Sequence, residues 1–193
     1  RDTGMNGAFD VALRLAGVLV LVALNGFFVA AEFALVGARR TRLDQLASAG
    51  NAAAALGRRM QDDLDRYIAA AQLGITLASL ALGWIGESTV AALVDPPIEA
   101  LVVWTLGNLA VAEALALTIS HGVGIAVSFF VITALHIVLG EQAPKVFAIR
   151  APERTALFIV RPLAVFNAIF SLVIRFLDWA TDLVLGLFGI REG

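Results

Sequence analysis

Leu139-Gly140-Glu141-Gln142-Ala143-Pro144-Lys145 closes an apolar run that begins at Val123. The helix implied by 123–139 carries no formal charge, and a carboxylate, a proline and a lysine then follow in one short string. Proline has no N–H, and its ring clashes with the carbonyl four residues back. For Pro144 that carbonyl belongs to Gly140, the neighbour of Glu141. A helix broken here would leave a free carbonyl beside a carboxylate. At membrane depth, that pair is the raw material of a cation site.

Composition supplies the membrane. The chain has 193 residues, 60% of them hydrophobic and only 16% charged, with mean hydropathy +0.86. A soluble domain is about half apolar and about a quarter charged. Three stretches provide the ~20 largely apolar residues that cross a bilayer: 15–38, 66–94 and 122–141. We therefore expect an all-α membrane protein with three transmembrane helices. Cysteine is absent, which excludes disulfides, thiolate metal sites and a cysteine nucleophile. No phosphate-cradling glycine loop, metalloprotease motif or nucleophile–base set is visible, so the expectation is neither an enzyme nor a nucleic-acid binder.

Between the first two spans lies a polar, helix-favouring segment, 41–65, ending in Asp62-Asp63-Leu64-Asp65. The second span is rich in alanine and glycine, which let helix backbones approach closely. Asp95-Pro96-Pro97 reads as its stop. The stretch 98–120 is apolar but interrupted by Glu99, Gly107, Asn108 and Glu113. Charge assigns the topology. Arg39, Arg40, Arg42, Arg58, Arg59 and Arg66 flank the first connection, and Lys145, Arg150, Arg154 and Arg161 follow the third span. Between Val94 and Gly122 there is no Lys or Arg. The positive-inside rule then places the N-terminus outside and the C-terminus in the cytoplasm. It makes 98–120 a re-entrant or surface-lying outer segment. Beyond the 1–154 transmembrane domain, 155–193 mixes Arg161, Arg175, Asp178 and Asp182 with bulky apolar residues, the pattern of an amphipathic helical belt in the interface. The abrupt end at Gly193 leads us to expect that a longer protein continues past it.

Polar residues inside spans are the site candidates, because lipid penalises them unless they pair or line a cavity. Asn25, Val29 and Glu32 share one face of the first span, with Gly26 thinning the helix beside Asn25. Gln72, Thr76, Ser79 and Gly83 form a stripe on the second. Thr133, His136 or Ile137, and Gly140 form one on the third, next to Glu141. Three such faces turned inward would enclose an oxygen-lined pocket. Bland readings stand beside each: Glu32 can pair with Arg39 or Arg40, Asn25 can be an interhelical hydrogen-bond clamp, Gln72 and Thr76 can be packing glue, Ser79 can bond its own backbone, and His136 reads as a packing residue. Glu141 can pair with Lys145 at i,i+4, which Pro144 opposes. Pro144, Lys145 and Glu32 are the expected points of gating or movement. Glu87, Asp95, Glu99 and Glu113 would form an outer acidic field that gathers cations.

Leu24-Asn25-Gly26-Phe27-Phe28-Val29-Ala30-Ala31-Glu32-Phe33-Ala34-Leu35, Gln72-Leu73-Gly74-Ile75-Thr76-Leu77 and the 139–145 string together resemble the CNNM/CorC (hemolysin C-like) family, in order and spacing, from about residue 15 to 190. The resemblance implies a homodimeric domain of three spanning helices and a juxtamembrane belt in the cell membrane, followed by nucleotide-binding cytoplasmic CBS domains. It also implies Mg²⁺ transport, in several members efflux coupled to Na⁺ entry. The family's ion site lies between the helices, built from first-helix serines, a second-helix asparagine and the third-helix Gly-Glu pair. Gly140 and Glu141 carry over directly, and Asn25 carries over as a different oxygen ligand. This chain has Val29 and Ile75 where many members have polar ligands, with Gln72 or Thr76 as substitutes. A membrane scaffold or cation sensor for cytoplasmic or partner domains is the alternative.

Overall fold

The computed structural model describes residues 3–106, 112–187 and 189. Among these, every regular element is helical. The order is α1 (Thr3–Gly37), α2 (Arg40–Ser48), α3 (Ala52–Met60), a 3-10 turn (Gln61–Asp63), α4 (Leu64–Leu106), α5 (Ala112–Leu135), a π-helical segment (His136–Gln142), α6 (Ala143–Arg150), α7 (Pro152–Ile169) and α8 (Ser171–Leu187). Three stretches are long and apolar enough to cross a membrane: Asp10–Gly37, Ala52–Gly86 and Gly122–Arg150. The chain is a multi-pass membrane protein.

One sequence expectation gives way. Asp95-Pro96-Pro97 does not stop the helix: α4 runs through both prolines to Leu106. Each proline forfeits one backbone bond, but its fixed φ is helical, and membrane helices tolerate the loss when other groups compensate. The first part of the stretch 98–120 extends α4 and its last part opens α5, while Gly107 and Asn108 lie outside the described residues. So do the side chains of Glu87, Asp95, Glu99 and Glu113.

The chain divides into two compact units, residues 1–23 with 78–139 and residues 24–77 with 140–193. In the second unit, the polar segment 41–65 folds as the helical hairpin α2–α3. Gly50 makes its corner at φ 90°, a left-handed conformation that costs glycine little. The Asn51 side-chain oxygen then caps α3, accepting from the N–H groups of Ala53 and Ala54 at 3.0 and 3.1 Å. Gln61 closes the end of α1: its Nε2 donates to the carbonyls of Leu35 (3.0 Å) and Ala38 (2.7 Å), groups that a helix end leaves without intrahelical partners.

The core of this unit joins Phe28, Ala31 and Leu35 of α1 to Met60, Ala70, Ile159, Val160, Leu163 and Ile174. α7 enters it on one face, burying Thr155, Ala156, Ile159, Val160, Leu163 and Asn167, a three-and-four spacing that marks a helical stripe. Its other side exposes Phe158, Val165 and Ile169. α8 follows at a bend of 82° and exposes Leu172, Phe176, Trp179 and Leu187. The amphipathic stretch expected after residue 155 is thus a bent helix pair with an outward apolar face. Close approach of α1 and α4 is bought by Gly74: a Cβ there would stand 2.4 Å from the Phe28 ring. In the first unit, Val18 and Val22 pack on Leu82, with Ile132 against them.

Candidate functional site

The stretch before Pro144 is not a broken helix end. α5 passes at His136 into a π-helical segment, which hands over to α6 at Ala143, so the helix changes its winding instead of stopping. Pro144 sits in the first turn of α6, where a missing N–H is tolerated. In an α-helical register the Gly140 carbonyl would accept from position 144, which has no hydrogen to give. Widened π turns of this kind recur at functional sites.

The Gly140 carbonyl finds its donor across the unit. Asn25 Nδ2 donates to it at 2.9 Å, and both residues are buried. Asn25 comes from α1 beside Gly26 and Val29, which are buried on the same side. Of the sequence candidates, the structure therefore brings together Asn25 and Gly140. It also turns the asparagine around: its nitrogen, not its oxygen, meets the carbonyl.

Glu141 is exposed, and among the described residues it joins no ion pair. Lys145 does not neutralise it; its Nζ lies over the Phe33 ring, 4.6 Å from the centroid, a cation–π contact. Glu32 is half-buried and also outside the ion pairs, because Arg39 pairs with Glu153 at 2.8 Å and Arg40 pairs with Asp62. The Arg39 hydrogen bond holds the Glu153 carboxyl below the usual carboxylate range.

The second-span stripe divides. Thr76 is exposed and its hydroxyl donates to the Gln72 carbonyl at 2.9 Å, the backbone bond common for threonine in helices. Gln72 lines a cavity of about 550 Å³ with Asp63, Asp65, Arg66, Asp178 and Asp182. Burial, and then Asp182, push the Asp178 carboxyl above its ordinary range. The i,i+4 acidic pair on α8 was the available signal for this cavity. Ser79 meets His136, with its Oγ 3.3 Å from Nε2, in a cavity that Gly83 and Thr133 also line, four residues that the polar faces of the second and third spans had singled out. Among the described residues no group of three or more His, Asp or Glu side chains is arranged to hold a metal. One carboxylate with neutral oxygens suits a hard cation that keeps much of its water.

The family described as the Cyclin M transmembrane N-terminal domain matches residues 16–193. The chain belongs to the CNNM family. CNNM domains are associated with divalent-cation transport. Among similar proteins, UPF0053 protein YhdT of Bacillus subtilis (strain 168) is 43% identical over 172 residues, covering 89% of this chain and 35% of the relative. UPF0053 protein YhdP of the same organism is 38% identical over 179 residues, 93% of this chain and 38% of the relative. The uncharacterized protein Rv1841c of Mycobacterium tuberculosis (strain ATCC 25618 / H37Rv) is 36% identical over 182 residues, 94% of this chain and 48% of the relative. This CNNM domain thus spans between a third and a half of the length of these curated relatives.

Proposed function

We propose that this domain carries a divalent cation, Mg²⁺ above others, across the cell membrane, and that Gly140, Glu141 and Asn25 form its binding station. The observation that supports it is the hydrogen bond from Asn25 to Gly140. A buried carbonyl that already attracts a positively polarised side-chain group, next in sequence to a carboxylate with no ion pair among the described residues, suits a cation, a stronger version of that group. Glu141 supplies the charge, the Gly140 carbonyl and the Asn25 amide oxygen supply neutral ligands, and retained water completes the shell. Loading the site requires the Asn25 amide to turn, exchanging an N–H donor for its oxygen. With a single carboxylate, the ion is held loosely enough to leave.

The same reading has the domain act as a homodimer, with the N-terminus outside and the C-terminus cytoplasmic, Na⁺ as coupling ion and CBS domains downstream. The charge asymmetry around the spans supports the orientation, and the greater length of the relatives supports further domains. Reconstituted into liposomes, the wild type should show Mg²⁺ flux that Glu141→Ala abolishes; undiminished flux in that variant removes Glu141 from the mechanism.

A second reading, a scaffold or cation sensor without transport, is favoured by Val29 and Ile75. Val29 is 3% exposed and Ile75 packs against the core, so neither position offers an oxygen. Mg²⁺-dependent thermal stabilisation without flux would select the sensor, and neither stabilisation nor flux would select the scaffold.

A further inference from the structure

α7 turns one face into the core and leaves the opposite face exposed. Arg154, Phe158, Arg161, Val165 and Ile169 follow one another on that exposed face at steps of four, three, four and four residues. This spacing stacks them along a single stripe. The two arginines stand two turns apart, ~10 Å along the helix axis.

Neither arginine joins an ion pair among the described residues. The flanking sequence offers no spare carboxylate either. From Ala143 to Leu177 the only acidic residue is Glu153, and Arg39 holds it at 2.8 Å. Lys145, Arg150 and Arg175 make the same stretch more basic still. The stripe is thus positively charged, yet its charges alternate with large apolar side chains: Phe158 is 76% and Ile169 70% exposed.

A face of this make-up suits neither bulk water nor hydrocarbon. Its aromatic and aliphatic groups gain by leaving water, while guanidinium groups are costly in the acyl region. Both demands are met at headgroup level, where arginine stems lie along apolar surface and the charged ends reach phosphate. The planar guanidinium fork matches phosphate oxygens two at a time. The order along the chain agrees. Arginines occupy the first part of the stripe, Val165 and Ile169 its end, and α8 goes on to expose Leu172, Phe176 and Trp179. Such a chain passes from headgroup-seeking to acyl-seeking residues, with a tryptophan of the kind enriched at membrane interfaces. An acidic protein would match the arginines; phospholipid matches the arginines, the interleaved apolar residues and the membrane setting together.

We propose that the α7 stripe Arg154–Phe158–Arg161–Val165 is a docking surface for anionic phospholipid, with the two guanidinium groups on headgroup phosphates and Phe158 and Val165 against the acyl boundary. Negatively charged headgroups are preferred to zwitterionic ones because each basic residue near an anionic surface is worth about fivefold in binding. The proposal stands apart from the divalent-cation reading, since it uses none of Asn25, Gly140 and Glu141.

The test places the photo-crosslinking amino acid p-benzoyl-phenylalanine at position 158 of the whole domain, reconstituted in vesicles of equal parts phosphatidylcholine and phosphatidylglycerol. Mass spectrometry after irradiation reads the ratio of the two lipid adducts. The expected result is a phosphatidylglycerol excess of about fivefold or more. It should fall toward parity in Arg154→Gln/Arg161→Gln and in high salt, which screens the attraction, and largely persist in Arg154→Lys/Arg161→Lys, which keeps the charge. Equal capture of the two lipids by the parent overturns the proposal. So does the absence of lipid adducts, or capture of protein in their place, which would make the stripe a protein contact. A preference that the glutamine pair leaves unmoved refutes it too. Should that pair not fold, the parent decides: a preference insensitive to high salt sinks the proposal.

Discussion

Asn25 and Gly140, 115 residues apart in sequence, are joined by a buried hydrogen bond of 2.9 Å from a side-chain amide to a backbone carbonyl. In an α-helical register the donor to this carbonyl would be a proline, and the asparagine of another helix supplies it a hydrogen bond. Substituting Asn25 by Leu strands a buried acceptor, at a cost of about 1–3 kcal/mol. The expected outcome is a lower melting temperature together with weaker Mg²⁺ binding by calorimetry. A variant that binds Mg²⁺ like the parent would dissociate this amide from the ion station.

Glu141 behaves differently because it is exposed and carries no ion pair among the described residues. Glu141→Gln should change stability by no more than about 0.5 kcal/mol, the range of surface substitutions, while flux falls to background. Parallel thermal melts and liposome flux separate the two effects. Loss of fold in this variant would show that the carboxylate is structural.

Gly74 lets α4 lie against Phe28. A Cβ at this position would stand 2.4–2.5 Å from three atoms of the ring, so Gly74→Ala should destabilise by about 1–3 kcal/mol, as overpacking does. Phe28→Leu added to Gly74→Ala should recover part of the loss. A double-mutant cycle measures the coupling, and strict additivity would refute the contact.

Leu163 on α7 is fully buried among α1, α3 and α8 residues. Leu163→Ala should cost about 2–5 kcal/mol through lost contacts and a residual cavity, read as early unfolding in detergent. Phe158, on the exposed side of the same helix at 76%, should tolerate replacement by Leu with little change.

The Arg39–Glu153 pair gives an acid limb to stability. Hydrogen bonding to Arg39 lowers the carboxyl's folded pKa, so the pair's contribution is complete above the unfolded value, about 4.3, and is lost as pH falls through the folded value. Glu153→Gln should therefore lower the melting temperature slightly at neutral pH, by about 1 kcal/mol or less because Arg39 is largely exposed. The gap to wild type should close on acidification below pH ~4. A gap that widens there would reverse the assignment.

Much of this was readable along the chain. Three uncharged or nearly uncharged runs fixed three spanning stretches, because burying charge in lipid is costly over any single segment. The shared face of Asn25, Val29 and Glu32 followed from helical periodicity alone; Asn25 and Val29 are buried and Glu32 is half-buried. The stop at Pro96-Pro97 misled because proline's local cost is modest against the cooperativity of a long helix in lipid. The π-helical winding at His136–Gln142 has no sequence period short enough to reveal it.

Sequence by itself determined that the chain is helical, lives in a membrane and carries a Gly-Glu pair next to a proline, since these depend on neighbours within a turn or two. Tertiary structure alone decided which group meets the Gly140 carbonyl, that Lys145 turns to Phe33 instead of Glu141, and that Ser79 and His136 share a cavity. Those outcomes depend on which helix faces pack together, and a one-dimensional pattern says which face is polar without saying what stands opposite.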